Sequence, residues 1–261
     1  MTVRNTRFRQ SVIRTVLGLA AVSGLAMQPV ESAFAKVVEV SMTAVETKLV
    51  VDGEGHTYDA WTFNGQFPGP VIRVQEGDEV VFSLTNPETN GRPHSMDFHA
   101  AETNFLEHYK EVRPGESLQY RFKAKWPGIF AYHCGASPMI QHIARGMMGA
   151  IIVDPKDPKA LPKADREYVL VQSELFKDPD DVDGMFDRKY QHVVFNGSVF
   201  RYDPVHSKAG GDFLDAKPGE RVRFYFVNAG PNNVSAVHPI AEIWDDVWES
   251  GNPANHTRGV Q

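Results

Sequence analysis

The chain contains, at residues 133–147, the stretch HCGASPMIQHIARGM, in which seven residues separate Cys134 from His142 and four separate His142 from Met147. Cys134 is the only cysteine among the 261 residues. This spacing allows a thiolate, an imidazole and a thioether to lie on one loop that joins two strands, and copper prefers such a combination of soft ligands. The stretch therefore predicts a copper site carried by a β-sheet protein.

A second imidazole would complete this site. His94 lies in a separate segment, PHSMDFH at residues 93–99. Two imidazoles and one thiolate in a plane, with a long axial thioether, form the electron-transfer copper site of small β-sandwich proteins. We assign the plane to His94, Cys134 and His142 and the axial position to Met147, and we expect Met148 to pack in the core.

A second metal site is predicted beside the first. His133 precedes Cys134, and neighbouring residues of a strand point to opposite faces, so the two side chains can bind different metals. His99 lies five residues after His94 and would face the second metal. Catalytic metal sites commonly use three protein ligands, so one more is needed. The candidates are residues beyond Gln261 and four further histidines, namely His192, His206, His238 and His256.

Residues 1–35 have the features of a signal peptide and predict export to the periplasm. Four arginines form a basic start, residues 16–27 are largely apolar, and residues 33–35 form a small-x-small cleavage site. The apolar stretch is shorter than the roughly 20 residues that span a bilayer, and no later segment reaches that length. An uncleaved membrane anchor is the alternative. A lone cysteine in an exported protein cannot form an internal disulfide, which favours a metal-bound thiol.

The charge of the chain indicates its partners. Its formal net charge is −6, and removing residues 1–35, with four arginines and one glutamate, leaves −9. An acidic surface argues against nucleic acid as a partner. It suits a small, positively charged redox donor, or solubility alone.

An internal repeat predicts two domains. The tripeptide Phe-Asn-Gly at 63–65 recurs at 195–197, and EGDEVVF at 76–82 is echoed by PGERVRF at 218–224. Short segments rich in β-branched and aromatic residues, separated by Gly, Pro and Asn, are typical of an all-β sandwich. We predict two tandem Greek-key β-sandwiches, at 36–160 and 161–261, joined by a proline-rich linker. Helix is expected only at 139–145. No closing strands are predicted after His238, so we expect the second domain to be incomplete and the chain to be truncated.

Taken together, the motifs resemble those of the copper-containing nitrite reductases. The matching stretches are FNGQFPGP at 63–70, HSMDFH at 94–99, and the His-Cys pair with its His-x4-Met at 133–147. The resemblance covers essentially all of the mature chain, although the loop between Cys134 and His142 is one residue shorter than in the best-known members. It implies two cupredoxin domains in each subunit and a homotrimer. It also implies a type 1 copper that accepts an electron and a type 2 copper, at the subunit boundary, that binds nitrite.

The resemblance also implies the role of each site residue. The type 1 ligands would be His94, Cys134, His142 and Met147. Two of the three type 2 ligands would be His99 and His133, and in the family the third lies past the position of Gln261. His256 is too close to His238 to match it, and we expect His256 in a solvated loop. Asp97 would donate a hydrogen bond and a proton to nitrite, together with His238, and Ile240 would narrow the substrate pocket. From spacing alone, Asp97 could instead orient His94 or His99.

The reaction implied is nitrite plus one electron plus two protons giving nitric oxide and water. A cupredoxin or a c-type cytochrome would supply the electron. Two alternatives remain. A blue-copper electron carrier would use the type 1 site and leave His99, His133 and the second domain idle. A two-domain multicopper oxidase would need His-x-His and His-Cys-His motifs, whereas residue 135 is glycine and no His-x-His occurs.

Overall fold

Strands dominate the computed structural model of the chain, which describes residues 35–206 and 212–261. The predicted signal peptide lies almost wholly outside these ranges. The strands are β1 Val37–Val50, β2 Thr57–Phe63, β3 Ile72–Gln75, β4 Glu79–Thr85, β5 Asp97–Phe98, β6 Ser117–Lys123, β7 Gly128–His133, β8 Met148–Asp154, β9 Arg166–Phe176, β10 Tyr190–Phe195, β11 Val222–Asn228, β12 Trp244–Trp248 and β13 His256–Val260. The helices are α1 Phe105–His108, α2 Met139–Ala144 and α3 Val182–Phe186, with a 3-10 turn at Glu249–Gly251.

The first half is a sandwich of two four-stranded sheets. One sheet has the strand order β2-β1-β4-β6 and the other has the order β3-β8-β7-β5. Strand β6 shows why such segments fold this way, because Tyr120 and Phe122 are buried while Gln119 and Arg121 are exposed. This alternation directs one face of each sheet into a shared core. Cys134 and Met147 belong to that core.

Strand β8 is buried on both faces. Ile151 and Val153 pack in the core of the first sandwich. Met148, Ala150 and Ile152 alternate with them and pack in a second cluster that includes residues of β9 and β11. A strand covered on both sides is apolar throughout rather than alternating. The second half therefore packs directly on the sheet that carries the copper-site loop.

The second half repeats the topology of the first. Strand β1 is antiparallel to β2 and parallel to β4, and β9 is likewise antiparallel to β10 and parallel to β11. Strands β12 and β13 add an antiparallel hairpin. The prediction of tandem all-β sandwiches is confirmed, and the second half contributes fewer strands to the described ranges than the first.

Two matching Asn-Gly turns mark the repeat in detail. Asn64 and Gly65 have φ values of 56° and 73°, and Asn196 and Gly197 have 48° and 76°. Positive φ at both central residues is required by the tight type I′ hairpin turn, for which Asn-Gly is the preferred pair. Each asparagine side chain also accepts a hydrogen bond from a backbone N–H of the neighbouring strand, at 2.7 Å in the first turn and 2.8 Å in the second.

Three expectations for secondary structure need correction. The helix expected at 139–145 is present as α2, but α1 and α3 were not expected. The hairpin β12–β13 follows His238, where no strand was predicted. His256, expected in a solvated loop, instead begins β13, and its Nε2 lies 2.8 Å from Oδ1 of Asp246.

The predicted boundary near residue 160 falls between β8 and β9, where the chain forms neither strand nor helix. Residues from 34 onward nevertheless cluster as one compact unit, so the division at 160 stays a prediction. Among the described residues, none of the helices is long and apolar enough to cross a membrane.

Candidate metal centres

The first centre consists of His94, Cys134 and His142. Cys134 directly follows β7, and His142 lies in α2 on the loop back to β8. His94 is held opposite them by two backbone hydrogen bonds with Val112, of 3.0 and 2.7 Å. The Nδ1 atoms of the two histidines are 3.3 Å apart, and Sγ of Cys134 is 3.2 Å from Nδ1 of His142. The three ligand atoms lie within 4.8 Å of one another.

Burial keeps the two imidazoles neutral and the thiol protonated when no metal is bound. Burial lowers the pKa of His142 to about 3, helped by the positive charges of Arg92 and Arg145, and burial also lowers the pKa of His94. Burial raises the pKa of the Cys134 thiol to about 11, although nearby backbone N–H groups oppose this. Neutral imidazole is the form that binds metal ions, so the histidines are prepared for coordination.

Two neighbours orient these ligands. Nε2 of His94 lies 3.2 Å from Oε1 of Glu46, so Nε2 carries the proton and Nδ1 presents its lone pair to the centre. The backbone N–H of Ser95 donates to Sγ of Cys134 at 3.2 Å. Hydrogen bonds to the cysteine sulfur tune the potential of blue-copper sites.

Met147 closes the loop above the first centre. Its side chain is fully buried. Its backbone N–H donates to the carbonyl of His142 at 3.1 Å, and its carbonyl accepts from the N–H of Cys134 at 2.9 Å. Met147 is therefore tied through its backbone to two of the three ligand residues. Met148 is also fully buried but packs in the cluster shared with the second half, as expected of a core residue.

The second centre consists of Asp97, His99 and His133. The Nε2 atoms of the two histidines are 3.0 Å apart, and all three ligand atoms lie within 4.8 Å of one another. Asp97 on β5 is the cross-strand partner of His133 on β7, so their side chains share one face of the sheet. His99 is exposed and Asp97 is half-buried, which leaves this centre open to solvent.

The tautomer of His133 is set by its neighbour. Nδ1 of His133 lies 3.1 Å from the carbonyl oxygen of Cys134, so Nδ1 carries the proton and Nε2 is free to bind a metal. Burial lowers the pKa of His133, which favours the neutral ring. Because His133 and Cys134 are consecutive, the two centres lie on opposite sides of one chain segment.

The other predicted site residues lie outside both centres. His238 is exposed, and its Nδ1 lies 3.2 Å from the carbonyl of Pro239. Ile240 has 87% of its surface exposed. In the part of the chain that the structure describes, the candidates for a third ligand are likewise elsewhere: His192 is exposed on β10, His206 contacts Asp203 and His256 contacts Asp246.

Three residues around the first centre were not anticipated from the sequence. Trp61 packs its ring 4.7 Å from that of His142 and 5.9 Å from that of His94. Glu46 and Trp61 come from β1 and β2, far from the motif, and nothing in their spacing indicates a role. Ser95 directly follows His94, and this adjacency to a ligand is the one feature of the sequence that could have indicated its role.

The donor atoms of both centres suit copper. The first centre offers two imidazole nitrogen atoms and a sulfur atom within 4.8 Å of one another, and His₂Cys with a nearby methionine is the ligand set of blue copper. The second offers two imidazole nitrogen atoms with the Asp97 carboxylate beside them and one side open, which suits a catalytic metal that binds substrate. The fold and the two centres define a cupredoxin-type protein with two metal sites.

Comparison with known proteins gives the family. A sequence profile of the multicopper oxidases matches residues 44–158. The copper-containing nitrite reductase of Neisseria gonorrhoeae is 40% identical over an alignment of 230 positions that covers 82% of this chain and 55% of that protein. That of Alcaligenes xylosoxydans xylosoxydans is 36% identical over 84% of this chain and 72% of that protein. The solved copper nitrite reductase of Nitrosomonas europaea is 58% identical, with a TM-score of 0.85 over 86% of this chain and 79% of that one.

The chain belongs to the copper-containing nitrite reductase family, as its motifs predicted. It spans about half the length of the first curated relatives that it matches.

Proposed function

We propose that this chain binds type 1 copper at the first centre and type 2 copper at the second, and that it serves the one-electron reduction of nitrite to nitric oxide. The observation that carries the proposal is the pair of centres on either side of His133 and Cys134. A buried His₂Cys site suits electron storage, whereas an open His₂ site with a carboxylate suits substrate binding. Nitrite takes up one electron and two protons and yields nitric oxide and water.

The residues of the first centre are proposed to keep the ligand atoms in fixed positions during electron transfer. A copper bound there would supply reversible one-electron chemistry. His94, Cys134 and His142 are buried and fixed by hydrogen bonds, so their positions change little when the charge of the site changes. The exclusion of water around these residues also keeps the rearrangement on electron transfer small. Met147 is proposed as the axial ligand because its backbone is bonded to two ligand residues.

Asp97 is proposed to orient nitrite and to deliver a proton. Its carboxylate lies within 4.8 Å of the ligand nitrogens of His99 and His133, so a ligand held there would be within its reach. A carboxylic acid at this distance can donate to the oxygen atom that leaves as water. The alternative for Asp97, orientation of a neighbouring histidine, has no direct hydrogen bond among the described residues in its favour.

His238 and Ile240 are proposed to act in an assembly rather than within one chain. Both are exposed, and both lie outside the second centre of their own chain. A homotrimer would bring them to a neighbouring copy, where His238 could supply a proton and Ile240 could narrow the pocket. We further propose export to the periplasm through residues 1–35, and an electron donor of the cupredoxin or c-type cytochrome class.

Electron paramagnetic resonance of the copper-loaded chain, before and after addition of nitrite, tests this function. We expect a type 1 signal that nitrite leaves unchanged and a type 2 signal that nitrite shifts. A type 1 signal alone would support the blue-copper carrier instead. Asp97→Asn should keep both signals and lose most nitrite turnover, with the exposed Glu107→Gln as the matched control. Loss of the type 2 signal in Asp97→Asn would refute the proton-transfer role and indicate that Asp97 orients a ligand.

A further inference from the structure

Arg145 is a buried cation at the end of α2, the helix that carries His142. Only 5% of the residue is exposed. Its Nη1 donates to the carbonyl of Asp59 at 2.9 Å, its Nε donates to the carbonyl of Pro179 at 3.2 Å, and its Nη2 pairs with Asp180 at 2.5 Å. One side chain thus joins α2 to β2 and to the second half of the protein.

The guanidinium of Arg145 reaches the first centre through Trp61. Its Cζ lies 4.5 Å from the centroid of the Trp61 ring, which lies 4.7 Å from the ring of His142. The backbone also connects them, because the N–H of Trp61 donates to the carbonyl of Arg145 at 3.0 Å. A cation over an indole face is attracted to it, so Arg145 fixes the ring that packs on the ligand.

The second half supplies the other side of this contact. Nε2 of Gln141, next to His142, donates to the carbonyl of Pro179 at 3.0 Å and to Asp180 at 3.1 Å. Gln141 within α2 and Arg145 directly after it are therefore both held by residues 179–180. This segment comes from outside the sandwich that contains the first centre.

The ion pair of Arg145 is asymmetric in its exposure. The Arg145 side chain is 6% exposed, whereas that of Asp180 is 71% exposed. Water screens the carboxylate more strongly than the guanidinium, because exposed charges interact in a medium of higher effective dielectric constant. The first centre is therefore subject to a net positive potential from this pair.

We propose that Arg145 is a positioning residue of the first centre, which holds His142 through Trp61 and whose buried charge raises the reduction potential of copper bound there. This inference rests on the proposed function of that centre. A nearby positive charge favours copper(I) over copper(II), because copper(I) carries one positive charge fewer. The Arg145–Trp61 and Trp61–His142 contacts place the guanidinium on the order of 10 Å from copper at the first centre. A unit charge at this distance changes the equilibrium between copper(I) and copper(II) by about tenfold at a dielectric constant near 20, which is about 59 mV for one electron.

The test is a potentiometric titration of the copper-loaded chain, followed by its type 1 absorption band. Arg145→Gln should lower the potential by about 59 mV, a tenfold change in the equilibrium constant. Arg145→Lys keeps the charge and should have a reduction potential close to that of the wild-type chain. Asp180→Asn removes the opposing charge at an exposed position and should raise the potential by a smaller amount.

The opposite shifts in potential expected for Arg145→Gln and Asp180→Asn distinguish an effect of charge from a loosening of the structure around His142. Arg145→Gln and Asp180→Asn both break the same ion pair, so a purely structural role would move the potential in the same direction in both. Such a result would overturn the proposal. If Arg145→Gln fails to fold, Asp180→Asn and Arg145→Lys still decide between the two roles.

Arg73→Gln is the matched control. Arg73 also joins the two halves, through ion pairs with Asp154 and Glu167. Its side chain is 45% exposed and pairs with two carboxylates, so water and these partners screen its charge far more than that of the buried Arg145. This variant should leave the potential unchanged. Absence of a type 1 band in the wild-type chain would refute the proposed function of the first centre, whereas a band with same-direction shifts would refute only the role of Arg145.

Discussion

Copper(I) binding at the first centre should release one proton across most of the accessible pH range. The metal binds the thiolate and the neutral imidazoles, so each ligand that is protonated beforehand must lose a proton. Burial raises the pKa of the Cys134 thiol to about 11 and lowers the pKa of His142 to about 3. Between these values the thiol is protonated and His142 is neutral. Burial also lowers the pKa of His94.

The pH dependence of the copper(I) affinity follows from the number of protons released. Release of one proton makes the affinity rise tenfold for each pH unit, or about 1.4 kcal/mol. We expect a hundredfold increase between pH 6 and 8, and the same slope between pH 5 and 6. Histidines with ordinary pKa values near 6.5 would release further protons below that pH and steepen the dependence.

Anaerobic competition between the chain and a chromophoric copper(I) chelator would measure this slope at each pH. The His99→Ala variant restricts binding to the first centre, and Cys134→Ser in that background should remove most of the dependence. A slope steeper than tenfold per unit below pH 6 would refute the neutral state of the histidines. A flat profile near pH 8 would refute the protonated thiol and show that the N–H donors around Sγ outweigh burial.

Two further predictions concern the fold and are measured by urea unfolding of the metal-free chain. Asn196→Ala should reduce the free energy of unfolding by about 1–3 kcal/mol, because the Asn196 side-chain amide forms hydrogen bonds with backbone groups of β9 in a partly buried turn. The equivalent Asn64→Ala removes an exposed hydrogen bond and should reduce the free energy of unfolding by less. Equal losses in the two variants would contradict this ranking. Gly149→Ala should cost about 1–3 kcal/mol, since its Cβ would lie 2.3 Å from the Tyr132 hydroxyl oxygen. The control Gly91→Ala meets nothing closer than 3.5 Å and should be nearly neutral, and a neutral Gly149→Ala would refute the tight packing.

The ligand motif could be predicted because its members are close in sequence. Cys134, His142 and Met147 lie on one loop, and the spacing alone indicates a copper site. The repeat was visible for a similar reason, since an Asn-Gly turn needs two positive φ values and few other residue pairs supply them. Local constraints of this kind are present in the amino-acid sequence itself.

The surroundings of the site could not be predicted in this way. Glu46 and Trp61 precede His133 by 87 and 72 residues, and they meet the motif only after the sandwich has closed. The helices α1 and α3 have four and five residues, and each begins with a side chain, Asn104 or Asp181, that accepts a backbone hydrogen bond. Helices this short show no hydrophobic periodicity.

The direct succession of His133 and Cys134 has a consequence for changes in chain length. A single residue inserted between them would turn Cys134 toward the face of His133, because side chains alternate along a strand. The first centre would then lose its thiolate, whereas His133 would stay in β7 opposite Asp97. Residues 135–141 follow the end of β7, so an insertion there changes the loop of the first centre and leaves the second intact. The chain therefore tolerates no added residue between His133 and Cys134, although the loop that follows can vary in length without affecting the second centre.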